Sequence, residues 1–257
     1  MITVAIPAYG HQALLDTTLR VLRWQKAQFD TLVVDDGSPT PLVVPDWVRL
    51  IRTERGPYSQ DGHRSASYAR NVCFRESATD YVLAMDSTIL LAPGTIEALL
   101  RNVEFLEEHP YDDGKPEPDQ FLITLHTAFI EERMDPQDMT DMEILYRTHM
   151  LSKGFDQACA DHTVVFMKRE LWLRNGGYDT VHFKSWGLEG QDFTMRALRD
   201  WNVAHLSTQP RKPGELLYAI HNPHDAPRDT MTRDAEFAAK WGEPYDGHLS
   251  GARKLSP

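Results

Sequence analysis

Short apolar runs alternate with helical patterns through the first hundred residues of the chain. Strand-like runs, each bounded by polar residues or turn formers, are predicted over residues 2–7, 31–34, 48–51 and 81–85. The apolar positions that recur between them at helical spacing are Leu15, Leu19 and Leu22; Ala66, Ala69 and Cys73; and Ile96, Leu99, Leu100 and Val103. Strands and helices that alternate in this way form right-handed βαβ units. The pattern therefore predicts an α/β fold whose mostly parallel sheet is flanked by helices.

The second half of the chain is less regular. Strands are predicted over residues 121–125, 163–167 and 216–220, and a helix over 193–198. Residues 110–120 are acidic and rich in proline, which is typical of a surface loop. Because no repeat, low-complexity tract or long linker interrupts the sequence, we expect a single domain over residues 1–257.

Composition narrows the possible functions. The chain has 27 Lys and Arg against 38 Asp and Glu, a net charge of −11, which argues against non-specific nucleic-acid binding. Its two cysteines are too few for a disulfide framework. No apolar run approaches the roughly 18 residues that a membrane span needs, and a strand pattern begins at once with no charged leader. A cytoplasmic protein is the expectation.

Polar residues collect where the predicted strands end, at Tyr9, Asp35, Asp36 and Asp86. In parallel sheets ligands bind at the carboxyl ends of the strands, where a carboxylate can accept hydrogen bonds from a nucleobase or a ribose. The alternative for Asp36 is a turn in which its side chain caps backbone amides.

Other charged groups carry candidate chemistry. Arg64 and Arg70 lie six residues apart and face either an anionic ligand or solvent. Asp86, with the oxygen-bearing Ser87 after it, suits a hard divalent ion. Glu189 and Asp192, three residues apart, are candidates for a general base, or for acidic residues that favour a helix N-terminus.

In their order and spacing, these patterns resemble the inverting glycosyltransferases of family 2, which have the GT-A fold. The matching segments are VAIPAYG at 4–10, LVVDDGSPT at 32–40, ARN at 69–71, YVLAMDSTILLAPGTIEAL at 81–99, and GGYD with WGLEGQDFTMR at 176–196. The resemblance implies a half that binds the nucleotide sugar over residues 1–108, an acceptor and catalytic half over 121–225, and a C-terminal tail over 226–257.

The resemblance also assigns roles to residues. It implies that the donor, expected to be a uridine diphosphate sugar, contacts Pro7, Ala8, Tyr9, Asp35 or Asp36, Arg64, Arg70, Asp86 and Ser87. It implies a Mn²⁺ or Mg²⁺ ion on Asp86, completed by His221 or His224, although these histidines also fit a solvated loop. Trp186 and Gly187 would lie on the acceptor side, Trp186 as a floor under the acceptor sugar or as a core residue.

The sequence departs from the family pattern at two positions. Thr88 stands where the second Asp of the family's Asp-x-Asp motif is expected, which weakens the metal assignment. Gly190 stands where the family's Glu-Asp pair has its catalytic Asp. Gly190 has no side chain, so the general base is expected to be Asp192 first and Glu189 second.

The function implied is transfer of a sugar to an acceptor hydroxyl with inversion. The acceptor stays open among a saccharide, a lipid-linked glycan, a protein and a modified nucleic-acid base. The two departures favour the alternative of a non-catalytic module that binds nucleotide sugars. A nucleotidyltransferase would carry a basic, glycine-rich loop after the first strand, where this chain has Pro7, Ala8 and Tyr9. A metal hydrolase built on His221, His224 and Asp225 ignores the first 200 residues.

Overall fold

The computed structural model describes residues 1–54, 66–108, 121–129, 132–146, 159–183, 188–200, 204–207, 218–223 and 230–242. In these ranges nine strands form one sheet in the order β3-β2-β1-β4-β7-β6-β9-β5, with β8 paired to β6. The strands are β1 (Ile2–Ala8), β2 (Asp30–Asp35), β3 (Arg49–Arg52), β4 (Tyr81–Met85), β5 (Ile89–Leu91), β6 (Phe121–Phe129), β7 (Cys159–Lys168), β8 (Ala204–Ser207) and β9 (Tyr218–His221). The helices are α1 (Gln12–Leu22), α2 (Ser67–Glu76), α3 (Thr95–Glu108), α4 (Met139–Tyr146), α5 (Arg169–Arg174), α6 (Glu189–Asp200) and α7 (Thr230–Trp241).

The N-terminal half of the sheet is parallel, and its strands β1, β2 and β4 are buried. β2 and β4 both pair with β1 in parallel, and β3 continues beyond β2. The chain passes from β1 to β2 through α1 and returns to β4 on the other side of β1 through α2. The strand order therefore reverses at β1, and such a reversal opens a crevice at the carboxyl ends of the strands. The α/β prediction is confirmed.

The sheet becomes mixed beyond β4. β7 pairs antiparallel with β4 and with β6, while β8 and β9 run parallel to β6. The three-residue β5 pairs antiparallel with β9, with Ile89 opposite His221. This last pairing brings the C-terminal strand beside the segment that follows Asp86.

Alternate residues of the central strands enter two cores, one on each face of the sheet. On one face Val4, Leu83 and Phe166 pack with α1 and α3. On the other face Ala5, Val82 and Val165 pack with α2, α5 and α6. This alternation follows from the two-residue period of a strand, and it fixes which helices stand beside the crevice.

Helix α7 lies in the segment that the sequence pattern assigns to a tail. Its Phe237 is buried in a small third core with Phe183 and Leu188, against which Met195 of α6 also packs. Within the described ranges, no helix combines the length and the apolarity that crossing a membrane requires.

Candidate functional site

The carboxyl ends of β1, β2 and β4 meet at one edge of the sheet. Asp36 directly follows β2, and its backbone N–H donates to the carbonyl of Ala8 at the end of β1, at 2.9 Å. Asp86 directly follows β4, which pairs with β1 on its other side. The structure therefore brings Ala8, Asp36 and Asp86 to the same edge, as predicted from the strand pattern.

Asp35 and Asp36 are neighbours with different environments. The Asp35 carboxylate is fully buried. It accepts hydrogen bonds from the backbone N–H groups of Ser38 (2.8 Å) and Leu42 (3.2 Å), and it forms an ion pair with Arg52. Burial raises the pKa of Asp35, but these hydrogen bonds and the Arg52 charge outweigh it and leave the pKa lowered. Asp35 therefore holds the loop after β2 in place.

Asp36 is 8% exposed, and its Oδ1 accepts a hydrogen bond from the Thr53 hydroxyl at 3.1 Å. Beside it, the Ser38 hydroxyl accepts a hydrogen bond from the N–H of Gly10 at 2.8 Å, which ties the turn after β1 to the turn after β2. Gly10 and His11 in that turn have φ of 60° and 53°. Pro7 and Ala8 are buried in β1, and Tyr9 is half-buried at its end. Of the two acids, Asp36 is the one with exposed surface at this edge.

Arg70 joins the edge formed by the carboxyl ends of β1, β2 and β4, which we call the donor edge because the resemblance predicts the sugar donor there, to the acidic first turn of α6. From α2, its two terminal nitrogens reach Asp86 Oδ1 at 2.7 Å and Glu189 Oε1 at 3.1 Å. The Arg70 side chain is 7% exposed and its guanidinium lies 5.5 Å from the centre of the Tyr178 ring. Burial lowers the pKa of Arg70, but the negative charges of Asp86 and Glu189 and the hydrogen bond to Asp86 together outweigh it, and the pKa is raised. A single buried cation thus holds both carboxylates.

Asn71, the next residue of the Ala-Arg-Asn segment, holds the Gly-Gly-Tyr-Asp turn. Its side-chain amide donates to the Tyr178 carbonyl and accepts from the Tyr178 N–H, both at 2.9 Å. Gly177 has φ of +65°, and a Cβ there would lie 2.2 Å from the Trp172 ring. Two segments that are 107 residues apart therefore form one structural unit.

His221 lies beside Thr88, and Thr88 is the residue that stands where the family's second Asp is expected. Its Nε2 is 3.3 Å from the Thr88 hydroxyl oxygen. The backbone N–H of the following Asn222 donates to the Thr88 carbonyl at 2.8 Å, and the Asn222 side chain makes two hydrogen bonds with the backbone of Met134. The antiparallel pairing of β5 and β9 explains this placement.

Asp86 and His221 are side chains of types that can bind a divalent cation. Among the described residues, only Arg70 hydrogen-bonds to Asp86, and it does so at Oδ1, so Oδ2 is left for a cation. Carboxylate oxygens suit Mn²⁺ and Mg²⁺, and imidazole is a common ligand of transition-metal ions. The described residues contain no group of three or more His, Cys, Asp and Glu side chains arranged to hold a metal, so a donor diphosphate would have to complete the coordination.

Asp192 has no exposed surface and three cationic or N–H partners. Its Oδ2 accepts from Arg196 Nε at 3.0 Å, and its Oδ1 faces Lys240 Nζ at 2.6 Å and accepts from Trp241 Nε1 at 3.1 Å. Lys240 also pairs with Asp179 at 2.7 Å. The structure thus turns the Asp192 side chain toward α7, while Glu189 is turned toward Arg70 and Asp86.

Four predicted site residues, Arg64, Trp186, Gly187 and His224, lie outside the described residues. Sequence patterns do not reveal the contributions of Arg52, Thr53, Lys240 and Trp241. No local motif marks Arg52 or Thr53, because they matter only through the parallel pairing of β3 with β2. Lys240 and Trp241 are 48 and 49 residues from Asp192 along the chain, and no helix is predicted there.

Comparison with known proteins agrees with this geometry. The model of the family described as glycosyl transferase family 2 matches residues 3–171. A Haemophilus influenzae protein described as an uncharacterized glycosyltransferase is 24% identical over an alignment 210 positions long, which covers 78% of this chain and 63% of the relative. The chain therefore spans less than two thirds of the length of that relative.

Solved glycosyltransferases have the same fold. Residues 1–349 of Staphylococcus aureus TarS superpose with a TM-score of 0.55 at 16% identity, covering 86% of this chain and 60% of that one. A complex of the same protein with UDP-GlcNAc gives 0.54 at 17% identity, covering 87% and 59%. The mannosyltransferase PcManGT from Pyrobaculum calidifontis, in complex with GDP-Man and Mn²⁺, gives 0.52 at 15% identity, covering 98% and 67%. These likenesses show the GT-A fold.

Proposed function

The chain belongs to glycosyl transferase family 2, and we propose that it transfers a sugar from a uridine diphosphate sugar to an acceptor hydroxyl with inversion. The observation that carries this proposal is the shared sheet edge, where Asp36 and Asp86 follow two strands that pair with β1. That edge offers a carboxylate for the nucleoside and, on the opposite side of β1, a second carboxylate for the diphosphate. Sugar nucleotides bound to TarS and to PcManGT support a donor of this class.

In this proposal Asp36 accepts a hydrogen bond from the donor's base or ribose. The loop after β2 is held by Asp35, Ser38 and Arg52, so Asp36 is oriented before the donor arrives. Tyr9 follows β1 beside this loop and is the candidate for packing against the base. Preorganisation of this kind lowers the entropic cost of binding.

Asp86 and His221 would hold a Mn²⁺ or Mg²⁺ ion, which supplies neutralisation of the charge that develops on the leaving diphosphate. Ser87 O accepts a hydrogen bond from the Thr18 hydroxyl at 2.9 Å, so the backbone after Asp86 is fixed by α1. Thr88 orients His221 through their 3.3 Å contact. The chain's own contribution is thus a carboxylate and an imidazole on two paired strands.

The acceptor hydroxyl needs a base, and the contacts favour Glu189 over Asp192, the reverse of the sequence-based order. Glu189 shares Arg70 with Asp86 and so lies near the donor edge. Asp192 faces Lys240 and Trp241 instead. Gly190 has no side chain to contribute. A single displacement with Glu189 as base gives inversion.

The turnover rate of Glu189→Gln tests this assignment. Removing a general base costs about 10²- to 10⁴-fold in rate. We expect Glu189→Gln to lose turnover in that range while its donor affinity stays within twofold of wild type. If Glu189→Gln turns over normally, Glu189 is not the base.

A non-catalytic module is the second candidate, because Gly190 replaces the expected catalytic side chain and both neighbouring acids are paired. A thermal-shift screen of UDP- and GDP-sugars with and without Mn²⁺, followed by donor-hydrolysis assays on the hits, separates the two candidates. A ligand at about a hundred times its dissociation constant adds about 2.7 kcal/mol to the free energy of unfolding. A transferase shows the shift and slow donor hydrolysis, a module shows the shift alone, and no shift with any donor contradicts both.

A further inference from the structure

Helix α7 is attached to the start of α6 by a buried network of charges. Lys240 of α7 lies between two carboxylates, Asp179 at 2.7 Å and Asp192 at 2.6 Å, with only 17% of its side chain exposed. Trp241 donates its indole N–H to Asp192 at 3.1 Å. Arg196 completes the network, since it pairs with Asp192 and donates to the Gly177 carbonyl at 2.7 Å.

An apolar contact stands beside this network. Phe237 of α7 lies 6.4 Å from Phe183 and 6.1 Å from Trp241, measured between ring centres. Leu188, the residue before α6, belongs to the same buried cluster. α7 therefore holds the first turn of α6 from two sides, by charge at Asp192 and by packing at Leu188.

The first turn of α6 also carries Glu189, whose side chain points to Arg70 and Asp86. Glu189 and Asp192 are three residues apart, so a rotation of this turn moves both side chains together. We infer that Asp192, Lys240 and Trp241 are positioning residues through which α7 holds Glu189 against the donor edge. The role of Glu189 in transfer rests on the proposed function.

This inference predicts a shared effect of residues on two helices. If Asp192 acts only through α7, Asp192→Asn and Lys240→Met should lower turnover by similar factors, up to about 10²-fold as for a misplaced catalytic group. The double variant should lose no more than either single one, because both changes break one unit. Affinity for UDP with Mn²⁺ should stay within twofold of wild type in all three.

A readout that does not need transfer separates this inference from the proposed function. Hydrogen–deuterium exchange of the full chain should show faster exchange at the start of α6 in Lys240→Met and in Trp241→Phe. Trp241→Phe keeps the ring against Phe237 and removes one donor, so it is expected to fold even where Lys240→Met does not. Lys240→Arg keeps the charge and should restore both exchange and turnover toward wild type.

Arg49→Met is the matched control, because Arg49 also pairs with a carboxylate, Glu76 at 2.8 Å, but begins β3 at the opposite end of that strand from the donor edge. It should change neither readout.

Unchanged exchange at α6 in both Lys240→Met and Trp241→Phe would overturn the inference. So would a full loss of turnover in Asp192→Asn beside normal turnover in both α7 variants, which would return the base to Asp192. Changed exchange in a protein that binds no nucleotide would leave the α7 contact standing and remove the proposed function alone.

Discussion

Asp35 and Asp192 are both carboxylates without exposed surface, and each has three donors, but the donors come from different distances along the chain. Asp35 is held by the N–H groups of Ser38 and Leu42 and by Arg52, all within 17 residues. Asp192 is held by Arg196 in its own helix and by Lys240 and Trp241 about fifty residues away. The donor edge is therefore held by residues close in sequence. The start of α6, with Glu189 and Asp192, is called the acidic edge below, and it depends on the C-terminal helix α7.

A similar contrast separates Arg52 and Arg70, the two arginines that pair with acids at the carboxyl ends of β2 and β4. Arg52 is 42% exposed and pairs with an acid that keeps two backbone donors without it. Arg70 is 7% exposed and pairs with Asp86 and with Glu189, whose side chain is 1% exposed. The fold should therefore tolerate the loss of Arg52 better than the loss of Arg70.

The largest expected effect is therefore that of Arg70→Met. Removing one partner of a buried ion pair costs about 3–5 kcal/mol, because the remaining charge is left in a low dielectric. Arg52→Met should cost clearly less, because Arg52 is 42% exposed and Asp35 keeps its two backbone donors without it. Urea unfolding of the two variants measures both values. Equal losses of unfolding free energy in the two variants would show that Arg70 stabilises the fold no more than Arg52 does.

Two adjacent glycines give the next effect. Gly177→Ala would place a Cβ 2.2 Å from Trp172 at φ of +65°, while Gly176→Ala at φ of +79° meets no atom within 4 Å. The left-handed backbone alone costs about 1–2 kcal/mol for an alanine. Thermal unfolding should therefore show a modest loss for Gly176→Ala and a clearly larger one for Gly177→Ala. A loss for Gly176→Ala that matched that of Gly177→Ala would mean that Trp172 moves aside without cost.

Acid should lower the free energy of unfolding through carboxyls near both edges, by less than the substitutions above. Burial raises the pKa of Asp179, but the hydrogen bonds from Lys240 and His182 outweigh it and lower the pKa overall, and the pKa of Asp35 is also lowered. A carboxyl whose folded pKa is depressed stabilises the fold above its unfolded pKa of about 3.9, and this stabilisation is lost as pH falls toward the folded pKa.

The free energy of unfolding should therefore fall below about pH 4, and it should fall less steeply in Asp179→Asn and in Asp35→Asn. Asp30→Asn, at the exposed start of β2, is the control. An acid-induced loss in the two variants as steep as in wild type would show that neither carboxyl contributes to it.

Sequence patterns predict for a physical reason that Asp36 and Asp86 lie at one edge of the sheet. β1, β2 and β4 are buried on both faces, so their apolar runs are continuous and easy to recognise, and Asp36 and Asp86 follow them directly. The choice between Asp35 and Asp36 needs the structure, because it depends on the contacts of each carboxylate.

The acidic edge is harder to predict from sequence. Of the side chains described in α7, only Phe237 is fully buried, and β5 has just three residues, so neither element has a long buried apolar run to mark it. Asp192 ranks first as base in the sequence because it starts a helical run and keeps an acidic family position. Its partners Lys240 and Trp241 become visible only when α7 is docked.

The central claim is that the edge formed by β1, β2 and β4 binds a nucleotide sugar through Asp36. Its most direct test is calorimetric titration of UDP-GlcNAc with Mn²⁺ into wild type, Asp36→Ala and Asp30→Ala, the last altering the opposite end of the same strand. We expect saturable binding to wild type and to Asp30→Ala, and at least a tenfold weaker affinity in Asp36→Ala, since one charge-assisted hydrogen bond accounts for about 1.5–3 kcal/mol. Binding to Asp36→Ala as tight as to wild type would contradict the claim.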